Sequence, residues 1–143
     1  MFTHGINEKQ GGVISNFIRN VSNGVPIEII GNGESARDYI YVEDVAEAIL
    51  TPLLNSDMKY NIFNIGSGYP TTILELYHHV KHAYKNFNID IPKPKFIQTK
   101  EHNIIKFLDT SRSTKYLKFK SRTDISNGIE KIVLWMEMNR NKK

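Results

Sequence analysis

The 143-residue chain has no cysteine. Disulfides, thiolate metal ligands and thiol nucleophiles are therefore excluded, and the composition fits a reducing compartment. No apolar run approaches the roughly 18 residues of a membrane-spanning helix, so no membrane partner is expected. The start, MFTHGINEKQ, has no basic segment followed by an apolar one. No signal peptide is read there, and the expected location is cytoplasmic. Also missing are a G-x-x-x-x-G-K-[ST] phosphate loop and a G-x-S-x-G nucleophile turn. What is present suits a modest single-domain core: 40% hydrophobic residues, with seven Phe and seven Tyr.

Charge is unevenly placed. Residues 1–92 carry six Lys/Arg and ten Asp/Glu, whereas residues 93–143 carry thirteen and five. A basic second half suits an anionic partner, and equally a solvated lysine-rich surface. With no interleaved aromatics or recognisable motif, nucleic acid is not expected as the partner.

Hydrophobic spacing divides the chain into alternating elements. GGVISNFIRNVSNG places Val13, Ile14, Phe17, Ile18 and Val21 at helical spacing, stopped by Gly24 and Pro26. PIEII reads as a strand with Ile27 and Ile29 facing one way and Glu28 and Ile30 the other. GNGES is a turn, and RDYIYV alternates as a strand. VEDVAEAILTPLL turns helical, with Val45, Ala48, Ile49 and Leu53 on one face and Pro52 bending or ending it. YNIFNIG reads as a strand and SGYP as a turn. TTILELYHHVKHAYKNF is a helix with Thr71 or Thr72 as N-cap and Glu75 completing a capping box. PKPKFIQT reads as a strand. DTSRSTKYL is a short helix capped by Asp109 or Thr110. The last helix, TDISNGIEKIVLWMEMN, has Ile125, Ile129, Ile132, Val133 and Met136 on its apolar side. The order indicates α/β or α+β, too short for a complete doubly wound nucleotide fold.

Several strings invite chemistry. Gly31-x-Gly33-x-x-Ala36 fits a dinucleotide turn, but such a turn needs a helix after it and a strand follows. A hairpin-like turn with Gly31 or Gly33 at positive φ is the better reading. Ile65–Gly68 runs from strand towards helix, so its N–H groups could face an anion, although Pro70 and the short spacing favour a structural turn. His78 and His82 share a helix face, without a third ligand at suitable spacing, so no metal is expected. Asp38 and Asp44 read as turn and cap ligands. Arg37 leaves the glycine turn beside Asp38. Its guanidinium suits a diphosphate, and it equally suits a salt bridge to an Asp.

In one order and at compact spacing occur G-x-G-x-x-x-R-D-Y-I-Y-V-E-D-V-A-E-A-I, Y-N-I-F-N-I-G-S-G, T-I-L-E-L, L-D-T-S and G-I-E-K-I-V-L-W. This set resembles the C-terminal part of the extended short-chain dehydrogenases/reductases, the NAD-dependent nucleotide-sugar epimerases and dehydratases, from about Thr3 to Trp135. The resemblance implies an α/β, partial Rossmann-type chain. Residues 1–143 would form a small α+β substrate-binding lobe, with short strands and about five helices, and the N-terminal cofactor-binding domain would be absent. It implies that Arg37 contacts the diphosphate of a nucleotide sugar. The strand carrying Glu28 and Ile30 would meet the pyrimidine edge, and Gly12 and Val13 would close over the nucleotide.

The departures shape the expectation as well. The family's G-x-x-G-x-x-G turn and its Tyr-x-x-x-Lys pair are missing; Tyr77–Lys81 has the spacing but lies on the wrong helix. NAD is the family's cofactor, yet none is expected to bind this chain alone, and no catalytic residue is assigned. The usual Arg-x-x-Asp reads Thr99-Lys100-Glu101-His102, so Lys100 would be a replacement cation. The N-x-Y-G-P-R start reads Phe2-Thr3-His4-Gly5-Ile6-Asn7. The implied role is the substrate-binding part of an enzyme like a UDP-glucose 4-epimerase, in surface-polysaccharide metabolism. A non-catalytic interaction or regulatory module on the same fold is the alternative. An uncovered apolar face is expected, with self-association or pairing to a separate N-terminal half.

Overall fold

The structure is a computed structural model that describes residues 12–53 and 62–140. The Phe2–Asn7 string lies outside the described residues.

Helix α1, Val13–Ser22, forms as its spacing predicts and buries Ile14, Phe17, Ile18 and Val21. Gly24 follows with φ 67°, a conformation glycine adopts without a Cβ clash. Strand β1, Glu28–Ile30, keeps Ile27 and Ile29 inside and Glu28 and Ile30 outside. It pairs in parallel with β4, Lys95–Ile97. Strand β2, Ala36–Asp38, lies in a second sheet. Its neighbours there are antiparallel β3, Pro70–Thr72, and parallel β5, Ile105–Lys106. Helices α2 (Val42–Leu53), α3 (Ile73–Lys85) and α4 (Ile125–Arg140) and a π-helical turn at Ser113–Leu117 complete the order. Among the described residues this is the mixed α/β arrangement, with short strands and five helical segments, that the resemblance implies.

Two hydrophobic clusters result. The larger joins α1, β1, α3 and α4 through Ile18, Ile29, Leu76, Val80, Tyr84, Ile129 and Val133. Each such side chain contributes about 1.5–3 kcal/mol when fully buried. The apolar side foreseen for α4 is the one that packs, with Ile125, Ile132 and Met136 flanking the buried Ile129 and Val133. The smaller cluster holds Ala48, Leu117 and Phe119, edged by Ile40, Phe63 and Ile65.

Four expectations need correction. The glycine turn joins β1 to β2, but these strands sit in different sheets, so it is not a hairpin. RDYIYV is a strand only as far as Asp38. Beyond it no partner continues the ladder, and the Tyr41 carbonyl accepts from Val45 N at 3.2 Å to open α2. Residues 62–65 form no strand: Phe63 and Ile65 pack on the smaller cluster and Asn64 Nδ2 bonds to the Asp109 carbonyl at 3.0 Å. The strand before α3 is instead β3, whose last residue, Thr72, caps the helix. Its hydroxyl accepts from Glu75 N at 3.1 Å and Glu75 Oε2 accepts from Thr72 N at 2.7 Å. On α2, Ile49 and Leu53 are exposed, Leu53 by 75%, because among the described residues nothing covers that flank. The short helix expected after Asp109 does form, ending as a π-helical turn closed by Lys118 at φ 54°, with Asp109 accepting from Ser111 N at 2.9 Å at its start.

Candidate functional site

The site is built around the turn between β1 and β2. Gly31 and Gly33 have φ of 67° and 79°, so both glycines take the left-handed conformation. A Cβ on Gly33 would stand 3.1 Å from Ile29 Cγ2 and from Leu74 Cβ. The turn is fastened to the start of α3: Ile73 N donates to Ser35 O and Leu74 N to Gly33 O, both at 3.0 Å. The segment from Thr99 to Ile104 crosses over it. Asn103 Nδ2 donates to Glu34 Oε2 at 2.9 Å and Ile104 N to Ser35 Oγ at 3.2 Å.

On the approach, β1 exposes half of its backbone. Lys95 N donates to Ile27 O, and Gly31 N donates to Ile97 O, each at 2.8 Å. In a parallel ladder alternate residues bond to the neighbour. Residues 27, 29 and 31 therefore face β4, and the N–H and C=O of Glu28 and Ile30 point to the opposite edge. β1 has no second strand neighbour among the described residues. The Glu28 carboxylate pairs with Lys95 at 3.6 Å, an exposed contact of small energetic weight.

On the exit stands Arg37. Its Nη1 donates to Ile104 O at 2.9 Å and to Ala36 O at 3.0 Å. The salt bridge to an Asp, open on sequence grounds, does not form among the described residues. One nitrogen of the guanidinium is thus anchored on main-chain carbonyls, leaving Nη2 and Nε for a planar, bidentate partner. Nearby, burial raises the Tyr39 hydroxyl pKa, with the Arg37 charge acting against the rise.

Lys100 sits exposed in the bend between β4 and β5. Gly12 and Val13 lie at the start of α1: Val13 packs on the larger cluster and Gly12 has open space where a side chain would be. The structure therefore brings Glu28, Ile30 and Arg37 to the two ends of one turn, and no hydrogen bond among the described residues ties Gly12, Val13 or Lys100 to it.

Asp38 explains the second glycine string. Its Oδ1 accepts from Ser67 N at 2.8 Å and Ser67 Oγ at 2.6 Å, and its Oδ2 from Gly68 N at 3.0 Å. Oδ2 also takes Leu108 N at 3.3 Å. The anion facing that loop is the protein's own carboxylate. A Cβ on Gly66 would lie 2.5 Å from Asp38 Oδ2, which keeps that position free of a side chain. Sequence reasoning placed Asp38 in a turn and the loop amides before an anion, but did not connect the two.

Asp44 plays the same part for the approach to α4. It is buried and accepts from Thr123 N (3.0 Å), Ser121 Oγ (2.8 Å) and Arg122 N (3.1 Å). Burial alone would raise its pKa; the hydrogen bonds from Thr123, Ser121 and Arg122 outweigh that and hold it below the ordinary 3.8. His78 and His82 are exposed and His79 half-buried, and no metal-ligand cluster occurs among the described residues.

Neither glycine turn among the described residues offers free helix-start amides to the pyrophosphate of a dinucleotide. The Gly31–Ala36 turn leads into a strand, and the amides at the start of α3 that reach it, those of Ile73 and Leu74, are already bonded to Ser35 O and Gly33 O. The amides of Ser67 and Gly68 are already bound to Asp38.

Residues 3–66 match the NAD dependent epimerase/dehydratase family. The chain is 36% identical over 129 residues to a dTDP-4-dehydro-6-deoxyglucose reductase of Escherichia coli, covering 90% of this chain and 39% of that protein. Its fold matches a UDP-glucose 4-epimerase from Thermotoga maritima, solved with UDP-glucose, at TM-score 0.77 and 26% identity; the match covers 92% of this chain and 41% of the other. A UDP-N-acetylglucosamine 4-epimerase from Methanobrevibacter ruminantium, in complex with UDP-N-acetylmuramic acid, matches at TM-score 0.74 and 26% identity, covering 93% and 41%. The chain spans about two fifths of the length of these relatives.

Proposed function

The chain belongs to the NAD-dependent epimerase/dehydratase family, and from that premise we propose that it forms the nucleotide-sugar-binding part of such an enzyme. The observation that carries this reading is Arg37: a guanidinium anchored by one nitrogen, unpaired with any carboxylate among the described residues, at the exit of a backbone-lined turn. The free N–H and C=O of Glu28 and Ile30 supply what a uracil or thymine edge needs, a donor and an acceptor side by side. The diphosphate then reaches Arg37 across the glycine turn, where no Cβ stands in the way. Gly12 and Val13 border the nucleotide, and Lys100 adds positive charge at the rim.

In this proposal these residues bind and orient the sugar nucleotide. Hydride transfer and proton transfer, of the UDP-glucose 4-epimerase kind and in the service of surface-polysaccharide synthesis, depend on groups outside the described residues. One observation favours the second reading, a non-catalytic module on the same fold: both glycine strings are committed to roles other than a dinucleotide. Titration calorimetry with UDP-glucose and dTDP-glucose tests the proposal. Binding is expected without added NAD, weakened roughly ten- to hundredfold by Arg37→Ala. Binding unaffected by Arg37→Ala would remove that residue from the site.

A further inference from the structure

In the three-stranded sheet β2 lies in the middle. Arg37 is in register with Thr71 on one side and with Lys106 on the other. Side chains in register on neighbouring strands leave the same face, and the strands stand about 4.8 Å apart. Arg37 and Lys106 therefore root two cations side by side. The Arg37 guanidinium also leans towards β5, since Nη1 donates to Ile104 O, two residues before Lys106. Like charges placed opposite one another destabilise a sheet unless something neutralises them.

No side chain among the described residues does so. The ion pairs there join Lys95 to Glu28, Arg122 to Glu47 and Lys131 to Glu43. Asp38 alternates to the opposite face and is occupied by Ser67, Gly68 and Leu108. Glu34 accepts from Asn103. Lys106 is exposed, so its ammonium is open to a ligand. Lys100, in its bend, has no such register with Arg37.

We infer that Lys106, rather than Lys100, is the second cation of the site, and that Arg37 and Lys106 together hold two anionic groups of one nucleotide sugar. This rests on the nucleotide-sugar reading above. The shared chemistry is an anionic oxygen beyond the first phosphate, supplied by the second phosphate or by a carboxylate on the sugar.

The test is calorimetry of the chain with UMP, UDP, UDP-glucose and UDP-glucuronate, for the unaltered protein and for Lys106→Met, Lys106→Arg, Lys100→Met and Arg37→Ala. Thermal melting beside it confirms that each variant folds. Lys106→Met is expected to weaken the doubly anionic ligands roughly three- to tenfold and to leave UMP unchanged, with Lys106→Arg restoring the loss. A loss already seen with UDP assigns the second phosphate; a loss confined to UDP-glucuronate assigns the sugar carboxylate. Lys100→Met, removing a rim charge, is expected to weaken all four ligands alike and by less than about twofold. If Arg37→Ala weakens binding while Lys106→Met changes nothing, or if Lys100→Met carries the loss, this inference falls and the nucleotide reading stands. If the unaltered chain binds none of the four, both fall.

Discussion

The two hydrophobic clusters are held by different forces. The one joining α1, β1, α3 and α4 closes on itself, with Ile29, Leu76, Val80, Ile129 and Val133 fully buried. The one beneath α2 is small and leaves Ile49, Leu50, Leu53, Ile62 and Phe107 exposed. Its order comes from two carboxylates: Asp38 fixes the 67–68 loop and Asp44 fixes residues 121–123. Burial therefore stabilises one region and directed hydrogen bonds the other. The candidate site lies where they meet: β1 packs on the large cluster, and β2 carries Arg37 beside the Asp38 clamp.

The largest expected effect separates the clusters directly. Ile129→Ala should cost about 2–5 kcal/mol in urea unfolding, because it opens a cavity in a filled core. Leu50→Ser on the exposed flank should stay within about 0.5 kcal/mol. Equal losses would break the comparison.

Next comes Asp44. Asp44→Ala removes the shared acceptor of several part-buried donors and should cost about 2 kcal/mol by the same measurement. Because its folded pKa lies below the ordinary 3.8, its stabilisation is present above that value and lost as pH falls through the lower, folded one. Acid unfolding followed by circular dichroism should show this loss in the unaltered chain and a flatter profile in Asp44→Asn. An Asp44→Asn profile matching the unaltered one would assign acid sensitivity elsewhere.

The smallest effect sharpens the reading of the turn. Gly33→Ala meets both a positive φ and the 3.1 Å approaches to Ile29 and Leu74, and should cost about 1–2 kcal/mol. Gly24→Ala meets a positive φ with open space and should cost less in the same thermal melts. The reverse order would mean that close packing does not hold the site turn.

Local signals made much of this legible. The 3.6-residue spacing found α1, α3 and α4, the Thr72–Glu75 spacing found the capping box, and the glycines found the turn. What stayed hidden depends on partners distant in sequence. The short strands β3 and β5 exist because β2 pairs with them, and two or three residues carry no periodic signal. The string IFNIG has strand composition but no ladder partner among the described residues, so composition alone misplaced it. For the site, the glycine turn and Arg37 were legible as a pair. That the Arg37 guanidinium rests on the Ile104 carbonyl, and that Asp38 fills the second glycine loop, needed contacts 67 and about 30 residues apart.

The most direct measurement is nuclear magnetic resonance of the 15N-labelled chain as UDP-glucose is added. The largest shifts are expected at the Glu28 and Ile30 amides and at the Arg37 side-chain Nε–H, with the Ser67 and Gly68 amides unmoved. Shifts centred on Ser67 and Gly68, with Glu28, Ile30 and Arg37 silent, would contradict the proposed site.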